Sequence, residues 1–182
     1  MKQYRVALIV FCMLVSGVAS AQTFTLKSAD IGGQMTGQQV FNGFGCTGEN
    51  ISPQLSWENA PEGTQSFAVT MYDPDAPTGS GWWHWLIFDI PAEVTELKAN
   101  AGNPSAGLAP QSAIQAITDY GKAGYGGPCP PEGHGFHQYI ITVYALKTKS
   151  LGLDQQAKPA VIGYYLNSNT IQKASIVAYF QR

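Results

Sequence analysis

Short runs rich in β-branched and aromatic residues, each bounded by glycine or proline, recur along this chain at 24–26, 54–57, 66–72, 83–90, 139–146 and 175–180. Runs of that length and composition, punctuated in this way, argue for an antiparallel β-sandwich, all-β apart from a minor helix. Within 66–72, alternation places Phe67, Val69 and Met71 on one face, whereas 139–144 is apolar on both faces and reads as a central strand. A helix is expected over Pro159–Asn169, with Pro159 in its first turn and Val161, Ile162, Tyr165 and Leu166 as an apolar stripe. The stretch 98–113, rich in Asn, Gly, Ala, Pro and Ser and without a period, reads as an exposed loop able to fold over a neighbouring pocket.

The N-terminus carries Lys2 and Arg5, an apolar run over 6–15, and the small residues Ala19-Ser20-Ala21. These are the parts of a secretory signal peptide over 1–21, which predicts one mature domain over 22–182 and a periplasmic location. The apolar run is about half the roughly 20 residues that a bilayer span needs. Of 10 basic and 12 acidic side chains, Lys2 and Arg5 would leave with the leader, so the mature chain carries 8 against 12, a net charge of −4. That balance argues against nucleic acid or an anionic membrane surface as partner. Cys12 would leave too, and an oxidising compartment makes a Cys46–Cys129 disulfide the expected state of the remaining pair. Such a bond, just before Pro130-Pro131, would tie the 43–46 loop to the segment that follows. A redox-active pair is the alternative, although no Cys-x-x-Cys spacing occurs.

Only 12% of the residues are charged, yet acids, histidines and aromatic residues gather in three stretches: Asp73-Pro74-Asp75-Ala76-Pro77, Gly81-Trp82-Trp83-His84-Trp85, and the segment from Cys129 to Tyr139 that holds Pro130-Pro131, His134 and His137. Pro74 and Pro77 stop a strand and hold two carboxylates in a stiff loop, where Asp73 can also cap neighbouring amides. Strict alternation puts His84, Leu86, Phe88 and Ile90 on one face, with Trp83, Trp85 and Ile87 on the other. His137 and Tyr139, two apart at the head of a strand, share a face and pair an imidazole with a phenol. His134, flanked by glycines, reads as an exposed loop residue; its distance from His137 would suit a metal only on a helix, which the local Pro and Gly exclude.

In this order the three stretches resemble the phosphatidylethanolamine-binding protein family, and the Gly-Trp-Trp-His-Trp form resembles its bacterial Raf-kinase-inhibitor-like branch. The resemblance implies a two-sheet Greek-key sandwich with helices at its edge. It also implies that Asp73, His84, Pro130, Pro131 and His137 line a pocket for phosphate, phosphorylethanolamine and related anions, with Tyr125 and Tyr139 at the rim. His84 and His137 would donate to the anion, and Asp73 would fix a tautomer or accept from the ligand. Affinity that rises as the pH falls through the histidine range is then expected. Similarity to bacterial relatives allows a homodimer. Two departures matter: Gln138 stands where mammalian members usually carry Arg, and Thr78-Gly79-Ser80 replaces a longer basic segment, so tight phospholipid or kinase binding is not carried over.

The leading reading is an exported, non-enzymatic protein that binds a small phosphate-like or carboxylate anion without a cofactor and acts as a modulator of another protein. Two others stay open. One is a hydrolase using Asp73, His84 and His137 for acid–base chemistry or as a two-histidine, one-carboxylate metal site, although no Gly-x-Ser-x-Gly or His-Glu-x-x-His motif is present. The other is a surface interaction module with a vestigial pocket.

Overall fold

The computed structural model describes residues 22–182, so the proposed leader lies outside the described residues. In chain order the strands are β1 (Thr25–Lys27), β2 (Asn42–Gly43), β3 (Cys46–Thr47), β4 (Leu55–Glu58), β5 (Ser66–Asp73), β6 (Trp82–Pro91), β7 (Glu96–Leu97), β8 (Ile114–Gln115) and β9 (His137–Leu146), followed by helix α1 (Pro159–Asn169) and β10 (Thr170–Phe180). A five-stranded sheet in the order β10-β9-β5-β6-β8 faces a three-stranded sheet β1-β4-β7, and β2-β3 forms a small hairpin. Every pairing between these strands is antiparallel. Among the described residues no helix is long and apolar enough to cross a membrane.

The main core fills the space between the two sheets. Leu26, Leu55, Trp57 and Leu97 from the small sheet meet Phe67, Val69, Met71, Ile141 and Val143 from the large one. Phe67, Val69 and Met71 do share a face, and β9 lies inside its sheet, flanked by β5 and β10, as its two-sided apolar pattern requires. A second cluster on the opposite face of the large sheet packs Ala68, Leu86, Phe88 and Leu146 beneath α1. The helix buries only Ile162 and Leu166, while Val161 and Tyr165 are exposed. Its buried stripe is therefore narrower than the four-residue one expected, because α1 touches the sheet along a single i, i+4 line. β10 begins five residues earlier than its apolar run; β9 supplies the pairing that its polar first half does not advertise.

The departure that matters for the site lies in β6. Its pairing with β5 steps from Phe67↔Ile90 to Val69↔Ile87, and again from Met71↔Trp85 to Tyr72↔Trp83. β6 thus holds one extra residue near Asp89, whose φ is 58°, and another at His84. An extra residue in one strand of a pair re-aims the side chains beside it. Ile90 accordingly joins Trp85 and Ile87 in the main core, Trp83 packs with Leu86 and Phe88 on the other face, and His84 turns inward to meet Tyr139 edge-on at 5.1 Å. The strict alternation expected for this strand is corrected at both ends.

Candidate functional site

The end of β5 and the head of β9 are locked together by the two carboxylates. Asp73 Oδ1 accepts hydrogen bonds from the amides of Asp75 (2.8 Å) and Ala76 (3.1 Å), so it does cap its own turn. Its Oδ2 accepts from His137 Nδ1 at 2.7 Å, with both side chains buried. Asp75 reaches across to accept from the Gln138 amide at 2.8 Å. The other nitrogen of His137, Nε2, lies 2.7 Å from Nδ1 of the exposed His134. One proton shared between those two nitrogens completes a relay from solvent through His134 and His137 to Asp73. His134 is on the surface, as its flanking glycines indicate, and it is also joined to the site through His137.

On the facing wall, the bulge in β6 delivers His84. Its Nδ1 donates to the Gly126 carbonyl at 2.7 Å, so the lone pair resides on Nε2. Burial lowers its pKa from 6.5 to about 4, with the Gly126 carbonyl and the charge of Asp73 opposing the shift. His84 is therefore neutral through the physiological range and offers an acceptor, not the charged donor that the sequence suggested.

Between these walls lies a cavity of about 220 Å³. Asp73, His84, Pro130, Pro131, His137 and Tyr139 all line it, and so do Trp82, Tyr120, Phe44, Cys129 and the 76–78 loop, which the sequence analysis did not assign to it. Tyr139 is fully buried, and among the described residues its hydroxyl has no hydrogen-bond partner; the buried indole nitrogen of the half-buried Trp82 has none there either. Burial, reinforced by the charge of Asp73, pushes the Tyr139 phenol up, so it remains a proton donor. Tyr120 is likewise held protonated, first by burial and then by Asp73, but its proton is committed to the Gly127 carbonyl at 2.7 Å.

Tyr125 lies elsewhere. Its hydroxyl donates to the Gln39 carbonyl at 2.9 Å and its ring meets Trp85 edge-on, so it is a core residue bordering a neighbouring groove rather than the rim of the cavity. The stretch 98–113 also borders that groove, through Asn100, Asn103 and Pro104, and does not cover the cavity. It is not wholly exposed: Ala101 and Gly102 are buried, held by Gln115 Nε2 and Ser52 Oγ. The expected Cys46–Cys129 disulfide is present, with Cα atoms 6.0 Å apart. It fixes the β2–β3 hairpin, and Phe44 at its tip, against the cavity wall. Among the described residues no three His, Cys, Asp or Glu side chains are disposed to hold a metal ion, and both oxygens of Asp73 are already engaged.

The fold defines the class of protein when the chain is compared with known ones. The family described as phosphatidylethanolamine-binding protein matches residues 27–181, and the chain belongs to that family. It is 46% identical over 181 residues to the UPF0098 protein YbcL of Escherichia coli K12, covering 100% of this chain and 99% of that one. The UPF0098 protein YbhB of the same organism is 44% identical over 149 residues, covering 82% and 93%. The crystal structure of E. coli YbcL, described as a new member of the mammalian PEBP family, superposes with a TM-score of 0.85 at 49% identity, over 87% of this chain and 98% of that chain.

Proposed function

We propose that this protein is a binding protein whose cavity takes a small oxyanion or its monoprotonated acid, of the phosphate, phosphate-monoester or carboxylate type. The observation that carries this reading is the Tyr139 hydroxyl, a fully buried donor on the cavity wall without a partner among the described residues. A buried polar group left unpaired costs about 1–3 kcal/mol, which a ligand oxygen recovers on entering. The Trp82 N–H adds a second donor, and Nε2 of His84 adds an acceptor. Two donors beside one acceptor match an oxyanion that still carries one proton. The family description, phosphatidylethanolamine-binding protein, names a ligand that contains a phosphate oxyanion, although as a phosphodiester it has no proton to donate. Asp73 holds His137 in place, and the prolines 130 and 131 wall the cavity.

The pH dependence expected from the sequence changes form. Because burial keeps His84 neutral down to about pH 4, His84 does not supply the rise in anion affinity through the histidine range that was expected of it. The leader expected over 1–21 and the disulfide support export to the periplasm, and a modulatory role toward another protein, as a monomer or a homodimer, follows the same reading. Calorimetric titration with phosphate, phosphorylethanolamine and acetate tests the core of it. Saturable binding by the oxidised wild type, weakened in Tyr139→Phe, His84→Ala and His137→Ala, is the expected result. A folded wild type that binds none of the three would overturn the reading.

A further inference from the structure

Beside the cavity runs a larger groove of about 750 Å³, and Phe44 and Tyr120 wall both spaces. We propose that the groove is the second half of one composite site and holds the neutral, polyhydroxylated ring of a sugar phosphate whose phosphate enters the cavity. This rests on the oxyanion reading of the cavity and extends it to a ligand class.

The shared wall is an aromatic platform. Tyr120 stacks on Phe41 with centroids 4.4 Å apart and on Phe44 at 5.7 Å with only 18° between planes. Phe44 is 71% exposed, an unusual state for phenylalanine at a site that is not mobile: its carbonyl accepts from Arg182 Nη1 at 3.2 Å, and the disulfide anchors its hairpin. Its backbone lies in the left-handed region, φ 53°, which a bulky residue adopts at a cost. Such local strain, together with an apolar ring presented to solvent, is characteristic of ligand-contacting positions.

The rest of the groove mixes polar side chains with Ile51, Pro104 and Ala123, and it carries no net charge. Asn42 and Asn100 make no side-chain hydrogen bond among the described residues, and Glu49 and Lys122 form no ion pair there, so their groups are available. Carboxamides donate and accept at once, as hydroxyl groups do. An acyl chain laid here would strip water from these groups and return nothing. A second phosphate would meet Glu49 as readily as Lys122. A saturated ring with hydroxyl groups satisfies both sides: its C–H face lies on the platform and its hydroxyls reach the amides and the charged pair.

The test compares affinities by calorimetry for inorganic phosphate, glycerol 3-phosphate, glucose 1-phosphate and adenosine 5′-monophosphate, in wild type and in Asn42→Ala and Asn100→Gly. Glycine suits position 100, where φ is 67°. Glucose 1-phosphate is expected to bind at least about tenfold tighter than phosphate or glycerol 3-phosphate, a difference of about 1.4 kcal/mol. Both variants should reduce that advantage several-fold and leave phosphate affinity unchanged. Equal affinity for glucose 1-phosphate and inorganic phosphate would overturn the inference while sparing the cavity, and so would tighter binding of the nucleotide. Glucose 1-phosphate binding that depends on Asn42 and Asn100 without any binding of phosphate alone would sink the cavity reading and keep the groove. Failure of both ligands would remove both.

Discussion

The two walls of the cavity each present a histidine, and they differ in almost every physical respect. On the β6 wall His84 is bonded to a backbone carbonyl and held neutral by burial. On the β9 wall His137 is just as buried but sits between a carboxylate and an exposed histidine, so a proton can travel to it from solvent. Burial alone does not decide what a histidine offers a ligand; the partner on its second nitrogen does. One wall supplies a fixed acceptor, the other an adjustable link.

The largest expected effect of breaking this contrast is on the β9 wall. Asp73→Ala removes the partner of His137 and of two amides, and should destabilise the fold by about 3–5 kcal/mol in urea denaturation. Opening the disulfide through a Cys46→Ala, Cys129→Ala double variant should cost about 2–5 kcal/mol and loosen the Phe44 hairpin, seen as faster amide exchange at 42–47. The β6 wall is tested by pH. His84 has a folded-state pKa below its unfolded value, so its contribution is intact above pH 6.5 and is lost as pH falls toward 4, amounting to about 3 kcal/mol. His84→Gln should flatten that part of the stability profile; an unchanged slope would mean that the imidazole is not buried neutral. Tyr139→Phe should stabilise the free protein by about 1–3 kcal/mol, because the hydroxyl it deletes is buried and unpaired, yet should weaken phosphate binding. The smallest effect on stability belongs to His134→Ala, below about 0.5 kcal/mol for an exposed residue. Calorimetry should find its anion affinity within about threefold of the wild type, because His137 keeps its bond to Asp73.

Much of the architecture was legible in residue order. Period-2 patterning set the face of Phe67, Val69 and Met71, and two-sided apolarity marked β9 as interior. Pro159 and the stripe behind it bounded α1 at the residues observed. Where the reading failed, a nonlocal cause is visible. The extra residues at His84 and near Asp89 exist only as a mismatch between two strands, and nothing in one strand's own pattern announces them. Tyr125 was expected at the rim by resemblance alone, but its hydroxyl is taken by Gln39, 86 residues away, and it borders the groove with Gly124 and Gly126. Tyr120 and Trp82 were missed for the converse reason. Trp82 stood in a motif already singled out, but the sequence could not reveal that its indole N–H would lack a partner.

By itself, the sequence determined the class of fold, the cysteine pair, and the short list of side chains able to do polar chemistry. These depend on local preferences, on composition and on motifs that a linear chain carries openly. Only the tertiary structure decided which way His84 faces, that His134 completes a relay, that Tyr139 keeps an unspent proton, and that an aromatic platform joins the cavity to a groove. Each of these is a relation between segments far apart in the chain, set by strand register and burial once the two sheets close on their core.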